Sequence, residues 1–190
     1  MSYATIFALR RNDDGEYLDE VGRFGNSLWG ALALWDRFAR KMFQAQSILF
    51  LPAEKQRAIW LQTENDELDA RLRLAMAFTL DFAWCPLEFR RELAASCRFV
   101  HDALCCRVTR EELRYAGNNH WKLYAECIDG VSDAQAVCLN ATSSGPTWYD
   151  LPLLGYGPEE EVYGAVEEAR KRGLDCTPYA LLVRARLESK

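Results

Sequence analysis

Seven cysteines and two histidines are the side chains of this 190-residue chain best suited to nucleophilic or metal chemistry. Cys97, His101 and Cys105 are spaced four residues apart on one stripe of a predicted helix, with Cys106 beside them. Eight residues of helix rise about 12 Å, whereas thiolates that share one zinc at about 2.3 Å each must lie within about 4 Å of one another. At most two of the three can share an ion, and neither Cys85 nor Cys127 stands at a spacing that completes a site. Cys97 and Cys105 continue the apolar stripe of Leu93, so they read as buried small side chains with His101 at the edge, and no metal site is assigned. A thiol nucleophile needs a base within hydrogen-bond reach. The candidate pairs are His101 with Cys105 and His120 with Cys127; the second shares one face if 120–128 is helical, with Asn118 or Asn119 placed to orient the imidazole. Such triads are recognised by geometry in space rather than by order along the chain. The run from Asn118 to Trp121 reads equally well as a polar turn anchored by a buried Trp121.

Other motifs are weaker. Ser143-Ser144-Gly145 lacks the flanking glycine of a nucleophile elbow, and Gly155-Tyr156-Gly157 lacks the third glycine and the lysine of a phosphate loop. Adjacent acids at Asp13-Asp14 fall in a turn, and those at Asp66-Glu67 and Glu159-Glu160-Glu161 fall near predicted helix starts, where acids serve structure. No catalytic residue and no cofactor is assigned.

Charge is more informative. The net charge of −5 argues against direct nucleic-acid binding, which needs a basic excess to release phosphate counterions. Residues 123–169 contain no Lys, Arg or His but nine acids, leaving +4 on the rest of the chain. Within this segment, 142–158 (TSSGPTWYDLPLLGYGP) holds three of the six prolines, three glycines, Trp148, Tyr149 and Tyr156. Loops longer than about 12–15 residues are uncommon in compact domains and tend to be functional or disordered; this one is too rich in aromatics and leucine for disorder. Trp and Tyr are enriched at binding hot spots, and an acidic frame around them suits a basic partner surface. The candidate partner-binding residues are therefore Glu126, Asp129, Asp133, Trp148, Tyr149, Asp150, Tyr156, Glu159, Glu160 and Glu161.

Cysteines in odd number, with none in the first 84 residues, point to a reduced cytoplasmic setting rather than a disulfide scaffold. The first residues, MSYATIFALRRNDDG, place charges after the apolar run and lack a cleavage pattern, so no signal peptide is expected. No apolar stretch approaches the ~20 residues that span a bilayer. Asn140-Ala141-Thr142 matches a glycosylation acceptor, which has no use without a secretory route.

These residues must be positioned by regular elements. Two β-rich runs, 3–9 and 16–24, flank Asn12-Asp13-Asp14-Gly15 and predict a hairpin. Ile6 on one face of the first strand and Phe7 and Leu9 on the other predict a central position in a sheet. After a cap at Gly25-Asn26-Ser27, Leu28, Leu32, Trp35, Phe38 or Ala39, and Met42 recur at helical spacing. The run 47–51 is a strand or a buried connector. A second helix is expected from near Asn65 through Thr79, and a third opening at Pro86 and running through Leu104. A short helix spans 109–117; 120–128 is helix or strand; 136–140 is a short strand. Pro158 starts a helix with acids in its first turn and bases in its last, and 179–187 closes the chain as a strand.

The expected fold class is α+β: an N-terminal β-hairpin and a C-terminal strand in a small, mainly antiparallel sheet with several α-helices, forming a single domain over 1–190 with a weak boundary at 117–119. Two functional readings of different class follow. The first is a non-catalytic intracellular protein-binding protein of inhibitor or immunity type, docking its acidic, aromatic surface on a basic partner such as the nucleic-acid-binding face of a protein complex. The second is a small cytosolic enzyme with a Cys/His nucleophile or a Cys/His-bound metal. The segregated charge favours the first.

Overall fold

The computed structural model describes residues 3–13, 15–25, 30–79, 85–105 and 120–140. Strands β1 (Tyr3–Asn12) and β2 (Gly15–Gly25) form the expected hairpin. A two-residue strand β3 (Cys85–Pro86) and β4 (Ala136–Asn140) complete an antiparallel sheet of order β2-β1-β4-β3. The chain is thus of the α+β class, and β1 is central as its two apolar faces require. The strand that returns to β1 is 136–140; the expected strand 179–187 lies outside the described residues, as do the expected helices at 109–117 and after Pro158 and the boundary at 117–119.

Register explains the two faces. Ile6 sits beside Leu139 and Ala8 beside Val137, and all four, with Ala4, join the main core under the helices. Phe7 beside Cys138 and Leu9 beside Ala136 and Leu18 form a second, smaller apolar cluster on the reverse face. Because side chains alternate with period two, one sequence supplies both clusters. Pro86 lies on the edge strand, where its missing N–H costs no ladder bond. It therefore does not open the third helix; a 3-10 turn over Leu87–Phe89 intervenes before helix α4 (Arg90–Cys105).

Helix α1 (Ala31–Phe43) begins later than the Gly25-Asn26-Ser27 cap predicts. Leu32, Trp35, Phe38 and Ala39 are buried on the expected stripe, but Met42 is exposed, so the stripe ends a turn early. Residues 47–51 are neither strand nor buried connector throughout: Ile48–Phe50 is a 3-10 turn, pinned where Ser47 Oγ (2.7 Å) and Ile48 N (2.8 Å) both donate to Asp36 Oδ1. Helix α2 (Ala53–Trp60) buries only Ile59, which is why no apolar period announces it. Helix α3 (Ala70–Phe78) starts not at Asn65 but after Asp69, whose carboxylate accepts from Arg71 N at 2.9 Å. Leu74 through Phe78 are all buried, so the C-terminal half of α3 is enclosed while its first turn, with Arg71, faces solvent. Residues 120–128 belong to a helix, α5 (His120–Gly130). Helix α4 packs against both α3 and α5. No helix among the described residues is long and apolar enough to cross a membrane.

A close junction lies where α5 meets β2 and the start of α1. Trp121 Nε1 donates to the Gly30 carbonyl at 3.1 Å, and Trp121 and Tyr124 meet edge to face at 5.6 Å. A Cβ on Gly30 would collide with the Tyr124 hydroxyl and lie 2.9 Å from its Cζ; one on Gly22 would lie 2.8 Å from Cys127 Sγ. The missing side chains let the helix approach the backbone. Tyr124 is fully buried, and its hydroxyl has no hydrogen-bond partner among the described residues.

Gly30→Ala should lower stability by about 1–3 kcal/mol through overpacking. Tyr124→Phe should leave stability equal or higher, because it deletes a buried hydroxyl with no partner, and it should recover part of the loss in the double variant. Thermal melts of the four proteins check this; additive effects would show that Gly30 and Tyr124 do not meet.

Candidate functional site

Helix α5 and the turn after it carry three of the sequence-nominated acids. Glu126 and Asp129, three residues apart, share its exposed face, and Asp133 follows in a left-handed conformation with φ 52°. None of them stands in a purely acidic field. Glu126 lies 3.9 Å from Lys122 one turn earlier, and Asp129 pairs with Arg98 of α4. Arg90 of α4 donates to the Val131 carbonyl, and Arg10 of β1 donates to the carbonyls of Ser132 (2.6 Å) and Asp133 (3.2 Å). These cations satisfy carbonyls just beyond the C-terminal end of α5, where positive charge also complements the helix dipole. Folding therefore brings positive charge from β1 and α4 to a stretch that looks uniformly acidic in sequence. Trp148, Tyr149, Asp150, Tyr156, Glu159, Glu160 and Glu161 lie outside the described residues.

The His120 and Cys127 pair is placed against chemistry. His120 and Cys127 share the α5 face turned to β2, but seven residues of helix separate them by about 10 Å along the axis, beyond hydrogen-bond reach. The His120 ring packs with Phe24 at 5.8 Å and Tyr124 at 5.9 Å, and its Nδ1 has no partner among the described residues. Burial lowers its pKa. Cys127 Sγ lies 3.3 Å from the Val21 carbonyl, at the irregularity where Ile6 pairs with Gly22 but Phe7 pairs with Glu20, so that Val21 faces no β1 residue. Burial pushes the Cys127 thiol up to about 11. Cys85 is held at about 12 by burial and then by the Glu92 carboxylate, and Cys97 is raised further, chiefly by complete burial. An activated thiolate needs the opposite shift. Cys85, Cys97 and Cys138 are buried and, among the described residues, form no disulfide, and no group of three described His, Cys, Asp or Glu residues could hold a metal ion. Asn118, Asn119, Cys106 and Cys176 lie outside the described residues.

Two surface features escaped the sequence reading. The pinned 3-10 turn presents Leu49 and Phe50 to solvent, 50% and 79% exposed, where the spacing suggested burial. A cavity of about 210 Å³ opens between α1, α3 and α4, with an apolar floor and Arg37 and Lys41 at its margin. Apolar stripes on three helices that are not adjacent in sequence build that cavity, so no local motif reports it.

Folded protein treated with iodoacetamide at neutral pH should show slow labelling at Cys85, Cys97 and Cys127 by peptide mapping, rising on denaturation; rapid labelling of Cys127 in the native state would contradict its burial. His120 carries a pH dependence of defined sign. The unfolded chain takes up the proton first, near the ordinary value of 6.5, so its contribution is whole above that pH and declines as pH falls below it. The melting temperature should drop between pH 7 and 5 more in the native sequence than in His120→Gln. Comparison of the chain with family models, curated proteins and solved structures finds no match.

Proposed function

We propose that this chain is a non-catalytic protein-binding protein of the inhibitor or immunity type, working in a reducing, cytoplasmic setting. Its partner is a protein with a basic surface, such as the nucleic-acid-binding face of a complex. The carrying observation is charge segregation: nine acids and no base over 123–169, wrapped around a run that holds Trp148, Tyr149 and Tyr156. The neutralisation of Glu126 and Asp129 by Lys122 and Arg98 moves the weight of the proposal to Asp150 and Glu159 to Glu161. Aromatic side chains supply buried contact area at low entropic cost, while the surrounding acids steer a basic partner and reject acidic ones. The competing reading, a thiol enzyme, loses its best pair to the separation of His120 from Cys127 and to the raised thiol pKa of Cys127.

The test is affinity capture from the native host, with bound proteins identified by mass spectrometry. Capture should weaken when Glu159, Glu160 and Glu161 are all changed to Lys, should fall as salt rises from 50 to 500 mM, and should drop at least tenfold in Trp148→Ala. A partner retained equally by all three proteins and at high salt would overturn the proposal.

A further inference from the structure

We propose that the cavity between α1, α3 and α4 binds a small amphiphilic monocarboxylate, with an apolar body of about six to ten carbons, whose chain lies on the apolar floor and whose head meets Arg37 and Lys41. The proposal is independent of the partner-binding reading. Size comes first. An apolar cavity of about 150 Å³ holds benzene; at about 210 Å³ this one has room for a body somewhat larger than one aromatic ring. The floor is built from Leu34, Phe38, Leu72, Phe99, Val100 and Leu104. The outer side of Phe99 is fixed by the Arg71 guanidinium, 4.0 Å from the ring centre, and Arg71 is itself tied to Asp69 at 2.7 Å. That cation is committed and leaves the floor apolar.

Charge sets the head group. Arg37 and Lys41 lie one turn apart on the same face of α1, and like charges at that spacing repel. No acid lines the cavity among the described residues. Asp36 is engaged by Ser47 and Ile48, and Asp66 and Asp69 by Arg73 and Arg71; Asp102 is exposed on α4 and does not line the cavity. Arg37 Nη1 donates to the Ala103 carbonyl at 2.9 Å, which orients the guanidinium across the gap between α1 and α4 while leaving its other N–H groups for a ligand. The C-terminal ends of α1 and α4 lie nearby, each equivalent to roughly half a negative charge. Set against two cations, they leave about one positive charge, which suits a carboxylate rather than a dianion such as a phosphate monoester.

Calorimetric titration of the intact chain tests this with octanoate, octanamide and butyrate. Octanoate should bind one to one. Octanamide, the neutral counterpart, should bind about fivefold more weakly. Butyrate, four methylenes shorter, should bind on the order of a hundredfold more weakly. Ala103→Leu, which fills the cavity from α4, should abolish octanoate binding. Lys41→Gln, at an exposed position, should reduce octanoate affinity about fivefold and leave octanamide unchanged. Absence of saturable octanoate binding up to millimolar concentration overturns the proposal, as does equal affinity for octanamide or octanoate affinity unaltered in both variants. Should Ala103→Leu fail to fold, the Lys41→Gln comparison decides.

Discussion

The closeness of α5 to β2 and to the first residue before α1 is the constraint on which the rest of the described structure depends. It is set by two positions without side chains, Gly22 and Gly30, and locked by the indole of Trp121 on the Gly30 carbonyl. Once α5 is held there, its apolar face covers the sheet and supports α4, and α4 in turn supports α3. The α5 C-terminus then falls beside Arg10 and Arg90, so the turn leading into β4 has its carbonyls satisfied by a strand and a helix on either side. From that turn, β4 enters the sheet alongside β1. A close backbone approach thus determines where the last described strand can pair.

The same closeness buries the Cys127 thiol and raises its pKa. Cys127 fills the space left by Gly22 and lies beside the carbonyl of Val21, which faces no β1 residue. Cys97 is one more small apolar side chain on the buried stripe of α4 with Leu93, Ala94 and Val100. Desolvation disfavours the thiolate at both, so cysteine here acts as a compact filler rather than as a reagent. Charged side chains open to solvent sit elsewhere, among them those on the outer faces of α1 and α5.

How far the fold could be read from the chain depended on how each segment is buried. The hairpin, α1, α4 and the 136–140 strand were legible because each buries a repeating set of residues: Ile6 and Ala8, Trp35 and Phe38, Leu93 and Cys97, Val137 and Leu139. Helix α2 was not, since Ile59 alone is buried, and one residue defines no period. Pro86 was misplaced because a proline suits a helix start and an edge strand equally well, and only the pairing with Ala136 separates them. The acids of the candidate site were visible, but their neighbours were not: Arg98 stands 31 residues before Asp129, and Arg10 more than 120 residues before Ser132. Charge read along a chain is a local average, whereas charge in a fold is set by long-range neighbours. The cavity was illegible for the same reason, because Arg37, Leu72 and Phe99 meet only after three helices have docked.

The position of β1 has a consequence for how the protein is made. Its partner β2 follows across a two-residue gap, but its other partner, β4, pairs Ala136 with Leu9. At synthesis rates of about 5–20 residues per second, the second edge of β1 emerges uncovered and waits on the order of ten seconds for β4. Throughout that interval the nascent chain presents an open strand edge flanked by Ile6, Phe7 and Leu9, the kind of surface that pairs with neighbouring chains. Arg10 and Arg11 stand at the far end of the same strand, where Arg10 pairs with Asp19 of β2 at 2.7 Å. Arg10 later turns to hold the carbonyls of the α5–β4 turn. One arginine thus ties the hairpin, through Asp19, to the turn that delivers β4 to the open side of β1.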